Sequence, residues 1–593
     1  MLNADAARRL QLRIEEDARS ILIQRSIISP PVKGEDDIDF RVKLIYRKIP
    51  EMSGSEEPTL LIEAPWSEGS GPVWENAVRD LKRRINSILR QQGLSEFDVT
   101  VEMCAPELTR DKYIAPVVGQ PAMEAVWPRI LRGVRDKLET YPDLGPHITS
   151  VCLFRLGYSK NRAQNPITLY VSVAYDSNEL LWPAPITALE KLLAEAGWGH
   201  VKVHMEHGEV QHQAFELNPP RDSVRSCLTL KRGVDYPERV GLGMDISAAK
   251  YFARAGDQLR SNSLMGTLGC YVQVKTKSNP QWTTFALTNH HVIRPAVPGF
   301  RVTKNSKSNE TETAPPDANS RLAAADISGI TPKQVSKWSC APMESPSRAK
   351  HNHTIQNIKV AVEKNPSLQP HLDSKLSFFD SDRHILGEIW ASSGFKKRSV
   401  GATDPSFNSW GDAERRRLDW ALIKVKESRQ GSNKLYSEAE LEGAGVLSSY
   451  QPEPDGMKGN LKPPGPVPLG DMPGGTRVFK LGALTKFTLG QTSPFKAGIN
   501  LDTDKYMKPP SSTEHLCVAI SNGEPDPEKP FSLQGDSGSV VYDQFGRAVG
   551  LVVTGRVPHQ GKAGYTVVTP IEDVFASILQ HGEGNITDVR IAC

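Results

Sequence analysis

The amino-acid sequence lacks a strong excess of charge of either sign. Its 593 residues include 72 basic and 69 acidic side chains, for a net charge of +3, which argues against a polybasic protein that wraps nucleic acid. It also lacks a run of about 18 apolar residues, so no segment is expected to cross a membrane. The N-terminus carries charges throughout, without the apolar core of a secretory signal. We therefore expect a protein of the cytoplasm, or of the nucleus, that is not secreted.

Cysteine is sparse and irregularly placed. The seven cysteines are an odd number, they are widely spaced, and none forms a Cys-x-x-Cys pair. This pattern argues against a disulfide scaffold and against a zinc ribbon. His351 and His353 form a short His-x-His pair, but no Cys or Asp cluster accompanies them, and we interpret them as part of a solvated loop. The sequence therefore predicts no metal site, no cofactor and no nucleic-acid partner.

The first third of the chain predicts helices and strands in a repeated order. Residues 1–27 are predicted to form an amphipathic helix, and residues 28–217 one α+β domain. Within that domain the order strand, helix, strand occurs twice, at 59–64, 73–92 and 97–101 and again at 167–173, 185–196 and 200–205. Gly93 and Gly197, which end the two predicted helices, lie 104 residues apart, and the pattern indicates a weak duplication. Because it contains no nucleophile or ligand cluster, we expect this domain to regulate or to bind a partner.

The character of the sequence changes after a predicted linker at 218–224. Short β-type runs dominate residues 225–593, separated by turns rich in Gly, Pro and Ser, which predicts an all-β sandwich or barrel. Two stretches interrupt this pattern. Residues 303–375 are polar with little periodicity and are predicted to be an insertion. In residues 452–475, 13 of 24 residues are Pro or Gly, which predicts an exposed loop.

The strongest chemical signal is the run Gly535-Asp536-Ser537-Gly538, which lies in a turn next to two β-type segments. Glycines on both sides of a serine let the backbone bend sharply and expose the hydroxyl and the neighbouring N–H groups. A nucleophilic serine needs such a turn, and it needs a base, because its hydroxyl is a weak nucleophile. The alternative interpretation is a structural turn serine.

A candidate base and a candidate acid lie upstream at the ends of apolar runs. His290 and His291 follow an apolar strand that ends at Thr288, and either histidine could serve as the base. Asp419 begins the apolar run that continues to Val425, whereas its rival Asp412 precedes no such run. A carboxylate that enters a β core needs a partner, and an imidazole N–H is a suitable one.

In this order, the motifs TNHHV, LDWALIKV and GDSGS resemble those of chymotrypsin/trypsin-like serine endopeptidases. The form TN-x-HV is more similar to the intracellular HtrA-like branch than to the disulfide-bonded digestive enzymes. The segment 479–490 carries the pattern KxGxxTxxTxG and is similar to a strand of fungal intracellular members, and the long N-terminal region resembles the fungal Ssy5-like group. The resemblance covers about 225–590. It implies two six-stranded antiparallel β-barrels with the site in the cleft between them, after the α+β N-terminal domain.

The resemblance also implies roles for individual residues. His291 would be the general base, Asp419 the acid that orients it, and Ser537 the nucleophile. The backbone N–H groups of Gly535 and Ser537 would form the oxyanion hole. The residues that match the strand pairing with the substrate backbone are Val553, Thr554 and Gly555.

Two departures from the family pattern stand out. Phe531, six residues before Ser537, occupies the position at the base of the specificity pocket, where some members carry an aspartate that selects Lys or Arg. We therefore expect an uncharged side chain before the scissile bond. No basic-Ile-Val-Gly-Gly activation site is present, so Asp536 has no new N-terminal amine to pair with. Either the site is formed constitutively or another event orders the loop.

The sequence thus predicts an intracellular serine endopeptidase that cleaves proteins or peptides. Residues 28–217 are expected to restrain or recruit it, or to bind a regulatory protein. The alternative is a catalytically silent or latent protease-like adaptor that binds peptides or partner proteins in signalling. Autoprocessing near 218–224 is a further hypothesis, based on the composition of the linker.

Overall fold

The computed structural model describes residues 4–29, 41–47, 57–67, 69–208, 210–212, 236–249, 251–253, 259–260, 265–304, 311–313, 317, 320–400, 414–436, 459–501, 511–520, 530–556, 564–581 and 585–592. The chain divides into two compact units. The first comprises Met1–Asp111 with Lys304–Glu312, and the second Lys112–Thr303 with Thr313–Cys593. The predicted domain 28–217 is therefore not one unit, because the chain divides within it, after Asp111. The predicted linker 218–224 lies outside the described residues.

The first unit contains a three-stranded sheet and two helices. Its elements are α1 (Ala4–Gln24), β1 (Arg41–Arg47), β2 (Glu57–Glu63), α2 (Ser70–Gln91) and β3 (Thr100–Cys104). β1 is antiparallel to β2, and β2 is parallel to β3. No strand is predicted at β1, because its four apolar residues lie within a stretch that is polar overall. The helix α2 forms where expected, since its apolar residues recur on one face and are buried there.

After one short strand, β4 (Tyr113–Ala115), the second unit repeats the order of elements of the first. The repeated elements are α3 (Pro121–Glu139), β5 (Ile148–Gly157), β6 (Ile167–Val173), α4 (Pro183–Glu195) and β7 (Lys202–His207). β5 is antiparallel to β6, and β6 is parallel to β7. Helix, strand, strand, helix and strand therefore follow one another in both units with the same strand directions. Helix α3 runs through Pro128, where the sequence suggests an interruption.

The remaining strands complete the twelve-stranded sheet that contains β4–β7, and they form an eight-stranded sheet and two small sheets. In chain order the strands are β8 (Gln211–His212), β9 (Asp245–Ala248), β10 (Tyr251–Ala253), β11 (Leu259–Arg260), β12 (Gly266–Thr267), β13 (Cys270–Thr276), β14 (Thr283–Thr288), β15 (Arg301–Lys304), β16 (Thr311–Thr313), β17 (Met343–Glu344), β18 (Ile385–Ser392), β19 (Lys397–Val400), β20 (Glu414–Arg417), β21 (Ala421–Val425), β22 (Arg477–Gly482), β23 (Lys486–Thr492), β24 (Ala497–Asn500), β25 (Ser511–Ile520), β26 (Val540–Asp543), β27 (Ala548–Arg556), β28 (Tyr565–Pro570) and β29 (Ile586–Ile591).

These strands build a closed barrel and a half-barrel, which is the chymotrypsin-like double-barrel fold. The closed barrel has the order β22-β26-β27-β28-β25-β23, and β23 pairs back onto β22. The half-barrel is the eight-stranded sheet β12-β9-β17-β18-β21-β14-β13-β29. The predicted α+β region followed by an all-β double barrel is thus confirmed, except that the first barrel is open. A helix, Ile571–His581, follows β28.

The insertion predicted at 303–375 contains helices rather than irregular chain. They span Arg321–Ser328, Pro332–Trp338, Arg348–Lys364 and Gln369–Asp380. The first two contribute Leu322, Ala325 and Trp338 to the apolar core of the half-barrel. His351 is buried on the third helix, its Nδ1 2.7 Å from the hydroxyl of Tyr236. The interpretation of His351 and His353 as a solvated loop is therefore wrong.

The described part of the Pro- and Gly-rich stretch begins at residue 459 and is anchored. Leu461 belongs to the core that both barrels share, and Leu469, in a 3-10 helix at Leu469–Asp471, belongs to the core of the closed barrel. Two buried leucines therefore fix a segment whose composition predicts an exposed loop.

One sheet runs from the closed barrel into the α/β segment of the second unit. β24 pairs antiparallel with β5, so that the order β28-β25-β24-β5-β6-β7 is continuous. Strand β5 is apolar on both faces, and a strand of this kind must be covered on both sides. Val151 and Leu153 pack with residues of α3 and α4, whereas Cys152 and Phe154 pack with residues of the closed barrel. The segment from Lys112 onward is therefore built into the second unit.

Candidate active site

His291 and Asp419 are brought together by two neighbouring strands of the half-barrel. β14 ends at Thr288, and the short helix His290–Ile293 follows it. Asp419 lies just before Ala421, where β21 begins. The two strands are antiparallel, with Thr288 opposite Ala421. The residues that follow β14 and those that precede β21 therefore meet at the same end of the sheet.

Asp419 holds His291 through both the ring and the backbone. Its Oδ2 lies 2.6 Å from the Nδ1 of His291, and its Oδ1 accepts a hydrogen bond of 3.0 Å from the His291 backbone N–H. Its own carbonyl accepts hydrogen bonds from the backbone N–H of His290 and from the Asn289 side chain. The side chains of His291 and Asp419 are 4% and 0% exposed. Because Nδ1 is bound to the carboxylate, Nε2 is the ring nitrogen that would accept a proton from a nucleophile.

His290, the competing candidate, is occupied elsewhere. Its Nδ1 lies 3.0 Å from the Ser392 hydroxyl and its Nε2 lies 3.2 Å from Oδ1 of Asp326. Asp326 also accepts two hydrogen bonds from Arg294 through its Oδ2. Burial alone would raise the pKa of Asp326, but His290 and Arg294 outweigh that effect and lower it. No sequence pattern points to Asp326, because it lies in the polar insertion. Asp412 lies outside the described residues.

Ser537 lies in a sharp turn that packs against the end of β14. Gly535 and Gly538 have positive φ angles of 104° and 90°, which residues other than glycine rarely adopt. A Cβ on Gly538 would lie 2.4 Å from the Oγ1 of Thr288. The glycine therefore lets the turn approach the strand end from which His291 follows. Ser537 is fully buried, and its hydroxyl makes no hydrogen bond with another described residue.

Thr267 of β12 ties the serine turn to the half-barrel. Its backbone N–H donates to the carbonyl of Ser537 at 2.8 Å, and its hydroxyl donates to the carbonyl of Gly535 at 2.9 Å. Nothing in the sequence singles out this threonine, which lies 268 residues from Gly535. Within the described part of the chain, the N–H groups of Gly535 and Ser537 donate to no backbone carbonyl. Asp536 between them donates to Leu533 at 2.9 Å.

The strand that contains Val553, Thr554 and Gly555 is already paired with another segment of the chain. These three residues lie on β27. Strand β8 runs antiparallel to it, with His212 opposite Thr554 and Gln211 opposite Gly555. The stretch of β27 that is expected to bind a substrate backbone is therefore paired with β8, a strand that follows the α/β segment in the chain.

Arg556 ends β27 in a buried polar cluster. Its guanidinium donates to Glu206 at 2.9 Å and to the carbonyl of His207 at 3.0 Å. Glu206, on β7, also binds Lys112 at 2.7 Å and lies 3.0 Å from the His204 ring. The side chains of Arg556 and Glu206 are 3% and 9% exposed. An ion pair shielded from water thus links the α/β segment to the end of the strand β27.

Phe531 lies in the core of the closed barrel. It is 2% exposed and packs among valines of β26, β27 and β28. The next residue, Ser532, is also buried, and its hydroxyl lies 2.6 Å from that of Thr566 on β28. Neither hydroxyl was expected from the sequence, since lone serines and threonines carry no pattern. No carboxylate occupies position 531 or 532.

The described residues offer neither a metal site nor a membrane-spanning helix. No group of three His, Cys, Asp or Glu side chains there is placed to hold a metal ion. None of the helices described is long and apolar enough to cross a membrane. The five cysteines that the structure describes are all free thiols.

Comparisons with known proteins give distant structural neighbours. A glutamic-acid-specific serine protease that uses a histidine triad in substrate binding is 9% identical, with a TM-score of 0.26, and covers 60% of this chain and 100% of its own. Protease A of Thermobifida fusca is 11% identical, with a TM-score of 0.25, over 57% of this chain and 96% of its own. Nocardiopsis protease is 9% identical, with a TM-score of 0.24, over 60% and 100%. No protein-family model and no curated protein matches the sequence.

Proposed function

We propose that this protein is a serine endopeptidase that cleaves proteins or peptides through His291, Asp419 and Ser537. The observation that carries the proposal is the double attachment of His291 to Asp419, at 2.6 Å through the ring and 3.0 Å through the backbone. A buried carboxylate in this position fixes the tautomer of the imidazole and stabilises its protonated form. The serine turn packs against the strand end that precedes this histidine.

The proposed reaction follows from these roles. His291 takes the proton of the Ser537 hydroxyl through Nε2 as the oxygen attacks a peptide carbonyl. The N–H groups of Gly535 and Ser537 stabilise the oxyanion, a contribution worth about 10²–10³ in rate for a single donor. His291 then protonates the leaving amine. Finally, His291 removes a proton from a water molecule, which hydrolyses the acyl-enzyme.

The substrate is expected to carry an uncharged side chain before the scissile bond. Phe531 is buried in the core of the closed barrel, and the neighbouring hydroxyl pair of Ser532 and Thr566 is polar without charge. A specificity pocket formed at these residues would lack the carboxylate that stabilises a buried Lys or Arg side chain of the substrate. Cleavage of an unbiased peptide library predominantly after Arg would contradict this specificity.

We further propose that the described conformation is latent and that residues 112–212 restrain it. Ser537 is fully buried, and β8 pairs with the part of β27 that a substrate backbone would need. A regulatory protein that binds within residues 28–217 and withdraws β8 would open the site. The free thiols favour a reducing, intracellular compartment. The motifs of the sequence favour an HtrA-like or fungal Ssy5-like branch.

The test is labelling of the purified full-length protein with a fluorescent fluorophosphonate, which reacts only with an activated serine. Because the described conformation is latent, slow labelling is expected for the wild type, and it should be lost in both Ser537→Ala and His291→Ala. His290→Ala is the matched control, since that ring contacts Ser392 and Asp326 instead of Asp419. Persistent labelling of Ser537→Ala would contradict the assigned nucleophile.

Proline substitutions in β8 test the restraint. The double variant Gln211→Pro/His212→Pro removes whichever of these two backbone N–H groups faces β27, whereas the matched Gln211→Ala/His212→Ala retains it. The proline variant should be labelled at least about tenfold faster than the alanine variant. Equal rates would remove β8 as the restraint. If neither the wild type nor the proline variant is labelled, the adaptor without catalysis becomes the better description.

A further inference from the structure

Asp536, in the centre of the serine turn, has a fully buried carboxylate surrounded by donors. Its Oδ1 accepts backbone hydrogen bonds from Leu484 at 2.9 Å and from Thr485 at 3.1 Å. Its Oδ2 accepts from the Thr485 hydroxyl at 2.6 Å and from the Leu533 N–H at 3.0 Å. Lys480 completes the set, with its Nζ 3.2 Å from Oδ2. Each oxygen of the carboxylate therefore accepts two hydrogen bonds from the chain.

Lys480 is the positive charge of this cluster, and it is as deeply buried as its partner. Both side chains are 0% exposed. The ammonium also donates to the Thr485 hydroxyl at 2.5 Å, and that hydroxyl donates onward to Asp536. A buried charge whose partner is removed is left uncompensated, and a structure cannot retain it unchanged. The position of Asp536 therefore depends on Lys480.

The segment 480–490 owes its pattern, KxGxxTxxTxG, to contacts with the serine turn. Lys480 and Thr485 bind Asp536 as described. A Cβ on Gly482 would lie 2.2 Å from Oδ1 of Asp536, so only glycine leaves room for the carboxylate. The Thr488 hydroxyl donates to the carbonyl of Phe531 at 2.7 Å. Four positions of the pattern thus shape the segment that leads to Ser537.

The two candidate oxyanion donors lie close to Asp536 along the backbone: the Ser537 N–H belongs to the peptide group that follows Asp536, and the Gly535 N–H to the second peptide group before it. The N–H groups of Gly535 and Ser537 lie on either side of Asp536, whose own N–H and carbonyl bind Leu533 and Ser539. If the Asp536 carboxylate left its cluster, the backbone at Asp536 would lose this anchor and the neighbouring N–H groups would be free to reorient. A group that fixes this carboxylate fixes the direction of the donors as well.

From this geometry, and resting on the proposed function, we infer that Lys480 is a positioning residue. Its ammonium supplies, from within the folded chain, the cation that holds Asp536 and so keeps the N–H groups of Gly535 and Ser537 aimed at the oxyanion. The serine turn is accordingly formed without proteolytic release of an N-terminal amine. Control of the enzyme then lies in access to β27, and not in the assembly of the serine turn.

The test compares Lys480→Met with Lys350→Met in the full-length protein. Lys350 is the matched control because it forms another buried pair, 3.2 Å from Asp245, outside the serine turn. Lys480→Met should lower kcat and the rate of fluorophosphonate labelling by about 10²–10³ with little change in KM. Lys350→Met should retain both rates. Wild-type rates in Lys480→Met, in a preparation whose wild type is labelled, would overturn the inference and leave the proposed function standing.

A second measurement is independent of catalysis. Hydrogen–deuterium exchange of the backbone amides in 530–540 should be faster in Lys480→Met and unchanged in Lys350→Met. Combining Lys480→Met with Asp536→Asn removes both charges and should slow the exchange again. Unchanged exchange in Lys480→Met would overturn the inference even if no form of the protein is labelled.

Discussion

Two segments of this chain share one topology and have different surroundings. In the first unit, α1-β1-β2-α2-β3 forms a sheet of three strands, with β1 at its edge. In the second unit, α3-β5-β6-α4-β7 has the same strand directions, but its first strand pairs with β24 of the closed barrel. The same arrangement of elements thus ends at an edge strand in one unit and continues into a larger sheet in the other.

The sequences of the two first strands account for this difference. β1 has the sequence RVKLIYR, and its Tyr46 is 78% exposed. Basic side chains on an edge strand disfavour pairing with another strand. β5 has the sequence ITSVCLFRLG and buries apolar side chains on both faces. An apolar strand of this length is stable only inside a sheet that is covered on both sides.

A pair of equivalent glutamates shows how far the two environments diverge. Glu102 on β3 and Glu206 on β7 each lie nine residues after the glycine that follows the helix, Gly93 or Gly197. Glu102 pairs with Arg47 at the surface, where the two side chains are 38% and 51% exposed. Glu206 pairs with Arg556 in the interior, 9% and 3% exposed. Only the second glutamate is connected to the proposed substrate strand.

The largest expected effect is the difference in stability between two truncated chains, one without residues 1–111 and one that also lacks the α/β segment. A chain that begins at Lys112 should stay folded, because it retains the whole second unit. A chain that begins at residue 236 lacks β5 and exposes its partners on the closed barrel, among them Leu516, Tyr565 and Val567. Exposing a large apolar side chain to water costs about 1.5–3 kcal/mol of folding free energy. Size-exclusion chromatography and thermal unfolding should show aggregation of the shorter chain. A monomeric chain 236–593 that unfolds cooperatively would mean that the α/β segment is a separable domain.

The equivalent glutamates provide a second, smaller effect. Glu206→Gln leaves the buried Arg556 without its carboxylate and should lower the free energy of unfolding by about 3 kcal/mol. Glu102→Gln removes a solvent-exposed pair and should lower it by less than about 1 kcal/mol. Denaturant unfolding of the full-length protein measures both. Equal losses in the two variants would show that the environments differ less than the structure indicates.

The smallest effect is a dependence of stability on pH. Burial raises the pKa of Glu206, but His204 and Lys112 outweigh that effect and lower it from its ordinary value of 4.5. A lowered pKa contributes stability that is present above the unfolded value and lost as pH falls through the folded value. Between about pH 5 and pH 3, the wild-type protein should therefore lose stability more steeply than Glu206→Gln. Glu102→Gln should follow the wild-type curve, and parallel curves for all three proteins would assign the loss to other groups.

Local patterns in the sequence were sufficient to predict the central strands of both barrels, the first four long helices and the catalytic candidates. The runs ending at Thr288 and beginning after Asp419 form strands because apolar residues bounded by turns favour them. The glycines around Ser537 predict a turn for a similarly local reason. The contacts of His290 with Asp326, of Thr267 with the serine turn and of Arg556 with Glu206 were not predictable, since each joins residues that no local pattern relates.

The sequence by itself determined that His291, Asp419 and Ser537 lie at the ends of strands, and that a strand–helix–strand order occurs twice. Periodicity and turn chemistry act within a few residues and are therefore legible in a single chain. Tertiary structure alone decided that β5 joins the barrel, that β8 pairs with β27 and that Lys480 supplies the cation for Asp536. Those pairings depend on which edges and charges meet after the chain has folded, and hydrogen bonds between distant strands leave no local trace.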